Sequence, residues 1–180
     1  MRIEPSSPWS LPGVVARVAG LGQGTAPMQV FLAIGRQPSL FRGWLRFAGR
    51  LTPRGKLPRR ETELVILRVG LLRGNDYELE HHRRLGRRAG VTEPEMRALA
   101  TGSSASGWSP REQAILRAVE ALHAAQDLDD DIWDELGRHL SEPEVVELVL
   151  LAGHYEMLAT FLRTMRVSPD APRRGSRARG

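Results

Sequence analysis

The sequence predicts an all-α protein of seven or eight helices built around a central antiparallel helix pair. Apolar residues recur at spacings of three and four along most of the chain, and no stretch alternates apolar with polar positions as a half-buried strand would. Ser109-Pro110-Arg111-Glu112 and Ser141-Glu142-Pro143-Glu144 both read as capping boxes with a proline in the first turn. Gly74 and Gly90 stand where apolar runs stop, the usual place for a left-handed residue closing a helix.

Residues 1–24 hold three prolines and four glycines without a sustained period, which predicts an irregular N-terminal arm. A single domain is expected over 25–167. Its first helix, about 26–34, rests on Met28, Val30, Phe31 and Ile34, and the second runs from Pro38 through Leu40, Phe41, Trp44, Leu45 and Phe47. Pro58 opens a helix ending at Gly74 that is apolar almost all round and therefore central. Asp76 is a plausible cap for the next, about 76–89, and a short helix follows Thr92. Ser109 starts a helix to about 125, Asp129 to Asp131 cap one carrying Ile132, Trp133 and Leu136, and Ser141 opens the longest, to about 166. Residues 168–180 contain nothing apolar larger than alanine and are expected to form a disordered basic tail.

With 180 residues, 41% hydrophobic and 26% charged, the composition is that of a globular chain with one core. No apolar run reaches the roughly 20 residues expected of a spanning helix, and the N-terminal residues lack the apolar core of a secretory signal. A cytoplasmic protein without a membrane segment is expected. The absence of cysteine excludes disulfides, thiolate metal sites and thiol redox chemistry. Of the net charge of +5, residues 170–180 supply +3, from four arginines against Asp170, so the remainder is nearly neutral. Nucleic-acid binding is therefore not expected, and no helix-turn-helix or zinc-finger pattern supports it.

Helical geometry places Glu78, His82, Leu85 and Ala89 in one row, while Glu80, Arg83, Arg84, Arg87 and Arg88 form a solvated face. A carboxylate and an imidazole thus occupy a core-facing stripe, where burial costs several kcal/mol unless they are paired. On the preceding helix Glu63 lies beside Ile66, Leu67 and Gly70. Two helices packed antiparallel through a Gly74-Asn75 turn would bring Glu63 and His82 to similar height. The bland alternative is a satisfied pair that orders helix packing. Glu78 and His82 also have the spacing of two metal ligands, with Glu63 as a third, but no further histidine pair supports a metal, and none is expected. His154 shares a row with Glu147, Leu151, Leu158 and Phe161, which favours a buried, satisfied histidine.

The run ETELVILRVGLLRGNDYELEHHRRLGRRAGVTEPEMRAL, together with LPRRETELVILR and ELVLLAGHYEMLATFLRTMRV, resembles the carboxymuconolactone decarboxylase and AhpD-like superfamily. That resemblance, over roughly residues 28–166, implies an AhpD-like helical fold assembled as trimers or hexamers. Redox members carry a CxxCxxxH motif with a glutamate twelve residues before the first cysteine. Placed on this chain, the glutamate is Glu63, the cysteine positions are Asn75 and Glu78, and the histidine is His82, so the spacing is kept and the thiols are lost. Decarboxylase-type members instead show a glutamate four residues before a histidine, as Glu78 and His82 stand here.

The resemblance implies acid–base chemistry, a decarboxylation or a related lyase or isomerase step, on a small carboxylated or carbonyl compound. No metal or organic cofactor is implied. His82 would move the proton, Glu63 or Glu78 would hold the imidazole, and Arg68, Tyr77, His81, His154 or Tyr155 would receive an anionic substrate. The thiol peroxidase activity of the wider family is not expected without cysteine. The alternative is a non-catalytic ligand-binding or assembly module on the same fold.

Overall fold

The computed structural model describes residues 1–172. Among them are nine α-helices: α1 Leu11–Gln23, α2 Gln29–Ile34, α3 Pro38–Leu51, α4 Arg59–Arg73, α5 Asp76–Arg88, α6 Glu93–Thr101, α7 Pro110–Ala125, α8 Asp130–Gly137 and α9 Glu142–Met165. The described residues contain no strand, only an isolated bridge between Thr25 and Pro172. The eight helices expected from Thr25 onward are all present, and α1 is a ninth. The chain divides into two compact units, one of residues 1–47 with the chain from Thr160 on, the other of residues 48–159.

In the first unit the expected irregular arm is a helix from Leu11. Ser10 accepts a hydrogen bond from the Gly13 amide, Pro12 sits in the first turn, and Gly24, at φ 70°, closes the helix. Two of its glycines serve packing: a Cβ on Gly20 would strike the Ala26 carbonyl, and one on Gly13 the Pro8 carbonyl. Phe31, Phe41 and Trp44 form an aromatic cluster with ring centroids 5.7–6.4 Å apart. The expected disordered tail is also corrected at its start. Asp170 is buried and its carboxylate accepts from the Gln29 amide at 2.8 Å, capping α2, while Ala171 accepts from the Ala26 amide. Residues 173–180 of that tail lie outside the described residues.

In the second unit α4 and α5 form the expected antiparallel pair. Gly74, at φ 57°, makes the turn, and the Asn75 amide bonds back to the Gly70 carbonyl. Contacts then progress outward from the turn, from Gly70 with Leu79 to Leu67 with Gly86 and Arg60 with the Gly90 carbonyl. The two glycines let the helices approach closely: a Cβ on Gly70 would lie 3.0 Å from Leu79, and one on Gly86 3.2 Å from Leu67. The cap of α5 is Asn75 rather than Asp76, its side chain accepting from the Glu78 amide. Residues 61–70 of α4 are all buried, as its all-round apolarity predicts. Leu64 and Leu67 pack with Leu79, Val91, Leu99 and Leu116.

Two arginines tie the capping boxes together. Arg60 bonds Glu95 and Glu112, the last residues of the Thr92–Glu95 and Ser109–Glu112 boxes, and Arg111 bonds Glu144 of the Ser141–Glu144 box together with Glu61. By length and composition α9 is apolar enough to cross a membrane, contrary to the sequence expectation. Half of its apolar stretch is buried in the fold, and its Glu147 accepts from the Lys56 and Leu57 amides. These are the traits of a core helix.

Candidate functional site

Three helices of the second unit meet at His82. From α4, Glu63 is fully buried and its Oε2 stands 2.7 Å from His82 Nδ1. From α5 itself, Glu78 Oε2 lies 3.3 Å from Nε2, one helical turn away. From α9, the Tyr155 hydroxyl is also 3.3 Å from Nε2, with its ring edge-on at 5.2 Å and 89°. Arg59, one turn before Glu63, pairs with Glu63 Oε1 and is the only one of these side chains that is more than a tenth exposed. The three inward-facing ionisable groups of the sequence analysis therefore converge.

Electrostatics set the state of the imidazole. Burial pulls His82 down, but hydrogen bonds and charge from Glu63 and then Glu78 outweigh it, and the group is raised from 6.5 to about 9. At neutral pH His82 is an imidazolium, and with Arg59 it balances the two carboxylates. Its Nδ1–H donates to Glu63, and its Nε2–H faces Glu78 and the Tyr155 oxygen. Burial, with Glu78 and Glu63 adding to it, holds the Tyr155 phenol well above its usual value, so it stays protonated. Once Nε2 gives up its proton, that phenol can donate into the vacated lone pair. Burial lowers His154, which Glu78 only partly opposes, so this imidazole is neutral.

The candidate anion-binding residues separate. Tyr155 joins His82, and His154 stands edge-on to Tyr155 at 5.2 Å. Arg68 does not join them: it is buried, and its guanidinium bonds Glu120 at 3.0 Å and the Leu99 and Ala100 carbonyls at 2.9 and 3.2 Å. Lone on an apolar helix in sequence, it is consumed by the C-terminal turn of α6. The Tyr77 and His81 rings meet at a tilt of 54° with centroids 5.1 Å apart, and His81 Nδ1 is 3.0 Å from Arg84. Sequence reasoning missed two residues. Arg59 had a signal in its i, i+4 spacing to Glu63; Thr52, which hydrogen-bonds Tyr155, had none.

Among the described residues no group of three or more His, Asp or Glu side chains has metal-holding geometry. A cavity of about 300 Å³ lies among α4, α7 and α9, with Val69, Val119, Val149 and Gly153 in its walls. Its lining does not include Glu63, Glu78 or His82. Glu156 at this cavity is paired with His123 at 2.7 Å and Arg73 at 3.2 Å.

Residues 38–121 match the family model described as the carboxymuconolactone decarboxylase family. The uncharacterized protein YdfG of Bacillus subtilis (strain 168) is 26% identical over 104 residues, 57% of this chain and 71% of YdfG. Among solved structures, an uncharacterized peroxidase-related protein with an alkylhydroperoxidase AhpD core from Ralstonia eutropha JMP134 has a TM-score of 0.80 at 16% identity, covering 93% of this chain and 91% of its own. A cysteine-to-alanine variant of the debrominase Bmp8, in complex with 2,3,4-tribromopyrrole, has a TM-score of 0.77 at 19% identity, covering 97% and 94%. At these identities the structural likeness establishes the fold.

Proposed function

Because residues 38–121 match the carboxymuconolactone decarboxylase family model and the fold is AhpD-like, we propose that this chain is a thiol-free acid–base catalyst acting on a small carboxylated or carbonyl compound, with His82 as the proton donor. The observation that carries this reading is the His82 imidazole held between Glu63 and Glu78, with Tyr155 on the same ring nitrogen as Glu78. A histidine at about 9 is a poor base at neutral pH and a ready acid. Loss of carbon dioxide from a carboxylate conjugated to a carbonyl leaves its electron pair as an enolate. His82 Nε2–H protonates the enolate carbon, and the imidazole regains its proton from water. Glu63 keeps Nδ1 protonated and the ring oriented throughout. The Tyr155 phenol is placed to stabilise either the neutral imidazole or the developing oxyanion.

A second reading, a non-catalytic module in which the trio orders helix packing, is favoured by the near-complete burial of all three groups and by the separate position of the cavity. The two are separated by incubating the chain in D₂O with a panel of lactone and β-keto carboxylates. Catalysis predicts carbon dioxide release with one deuterium placed on the product carbon, abolished by His82→Gln while helicity is kept. Turnover that survives His82→Gln, or none on any member of the panel, would support the packing role.

A further inference from the structure

The cavity of about 300 Å³ among α4, α7 and α9 takes no part in the chemistry at His82, and every residue lining it belongs to the second unit. It has about twice the volume of a dry cavity that takes benzene, roughly 150 Å³, and stands at the lower end of the range of ligand pockets. Val69, Val119 and Ala152 are buried in its lining, and half-buried Leu122 and Val149 add to the aliphatic wall. A polyol placed there would leave hydroxyls without partners, whereas an apolar body fits. The carboxylate of Glu156 is 25% exposed, so a solute can reach it.

The charges around the cavity select the head group. In the lining, Arg73 is the one arginine or lysine and Glu156 the one acid; they pair at 3.2 Å, and His123 Nδ1 stands 2.7 Å from the other carboxylate oxygen. The formal charges of Arg73 and Glu156 cancel. Arg73 is the last residue of α4, and Gln126, at φ 60°, closes α7, so two helices have their C-termini at the cavity. Each C-terminus acts as about half a negative charge. Past Gln126 the chain turns acidic: residues 127–135 hold five aspartates and Glu135 with no arginine or lysine. A cation is drawn to such a site and an anion is repelled. We propose that the cavity binds a small apolar primary amine, with its body against Val69, Val119 and Ala152 and its ammonium on Glu156. A carboxylate has about four acceptor positions, so the ammonium joins Arg73 and His123 on it rather than replacing them. The inference rests on this cavity and not on the chemistry at His82.

The test titrates the full chain with three probes that share one ring and differ in the head: 2-phenylethylamine, 2-phenylethanol and phenylacetate. Calorimetry at neutral pH and low salt should find the amine about tenfold tighter than the alcohol, as a charge-assisted hydrogen bond gives, and the acid weakest. An acid as tight as the amine, an amine no tighter than the alcohol, or no binding of any probe at about 5 mM would overturn the proposal. Amide spectra should place the amine-induced shifts at Val69, Val119 and Ala152; shifts centred on His82 would overturn it. Glu156→Gln should bring the amine down to the affinity of the alcohol and leave the alcohol unchanged, and an amine advantage that persists would refute the role of Glu156. Arg73→Gln removes the competing cation while His123 still holds Glu156, so it should tighten the amine severalfold; weaker amine binding with tighter acid binding in the native chain would make this an anion site. Val149→Phe should fill the cavity and abolish binding of all three probes with circular dichroism unchanged, whereas undiminished binding would put the amine elsewhere. His82→Gln should leave the amine affinity as it is, so loss of the acid–base reading leaves this one standing, and a fall in affinity would overturn it.

Discussion

Replacing Glu63 by glutamine removes one negative charge from a buried group of four while keeping its shape. In the native chain burial pulls His82 down, Glu63 and Glu78 raise it more, and it stands at about 9 against 6.5 unfolded. At about 1.4 kcal/mol per pH unit, that gap corresponds to about 3 kcal/mol of stability. Because the folded value is the higher one, this stability is fully present below pH 6.5 and is lost as pH rises through 9. In Glu63→Gln burial remains and only Glu78 opposes it, so His82 falls and the pH dependence flattens. Urea unfolding followed by circular dichroism should show Glu63→Gln about 3 kcal/mol less stable than the native chain at pH 6, with most of that difference gone by pH 9.5. Subtracting the two profiles cancels the other histidines. Two parallel curves, offset by the same amount at every pH, would refute the reasoning, because the penalty would then owe nothing to the charge on His82.

Three further outcomes are expected. Arg68→Ala should destabilise the chain by about 2–4 kcal/mol, since it leaves Glu120 and two α6 carbonyls without their buried partner; an NMR titration should find His82 unmoved, and a displaced His82 would show that Arg68 acts on the site. Asp170→Ala should cost about 1 kcal/mol by removing the cap of α2, measured by thermal melting. A chain truncated after residue 167 should lose at least as much, whereas an unchanged melting temperature in both would mean that residues 168–172 do not dock. Arg59→Gln should lower turnover and destabilise the chain together, by leaving Glu63 Oε1 without its cation; assays at matched folded fraction separate the two effects, and full activity would remove Arg59 from the site.

The inward trio was legible because each charged residue interrupts an apolar helical row, and a row is fixed by spacing alone. The turn at Gly74 and Asn75 then determined which groups could meet. Arg68 shows the limit of that logic. It interrupts an apolar surface just as Glu63 does, but its partners include the main-chain carbonyls of Leu99 and Ala100, and carbonyls have no sequence signature. Tyr155 and His154 were visible as a pair of candidates, but which one reaches His82 depends on the rotation of α9 against α5. The glycines of α1 suggested irregular chain, whereas Gly13 and Gly20 mark where the Pro8 and Ala26 carbonyls crowd the helix. Asp170 caps an amide 141 residues away, beyond any local pattern.

The most direct measurement is the ¹⁵N spectrum of His82 in the native chain at pH 7.5, assigned by its loss in His82→Gln. Both ring nitrogens should carry a proton, with titration near pH 9, and Glu63→Gln should move that titration downward. A single neutral tautomer at pH 7.5, titrating near the ordinary value of 6.5, would contradict an imidazolium held between two carboxylates and with it the role of His82 as proton donor.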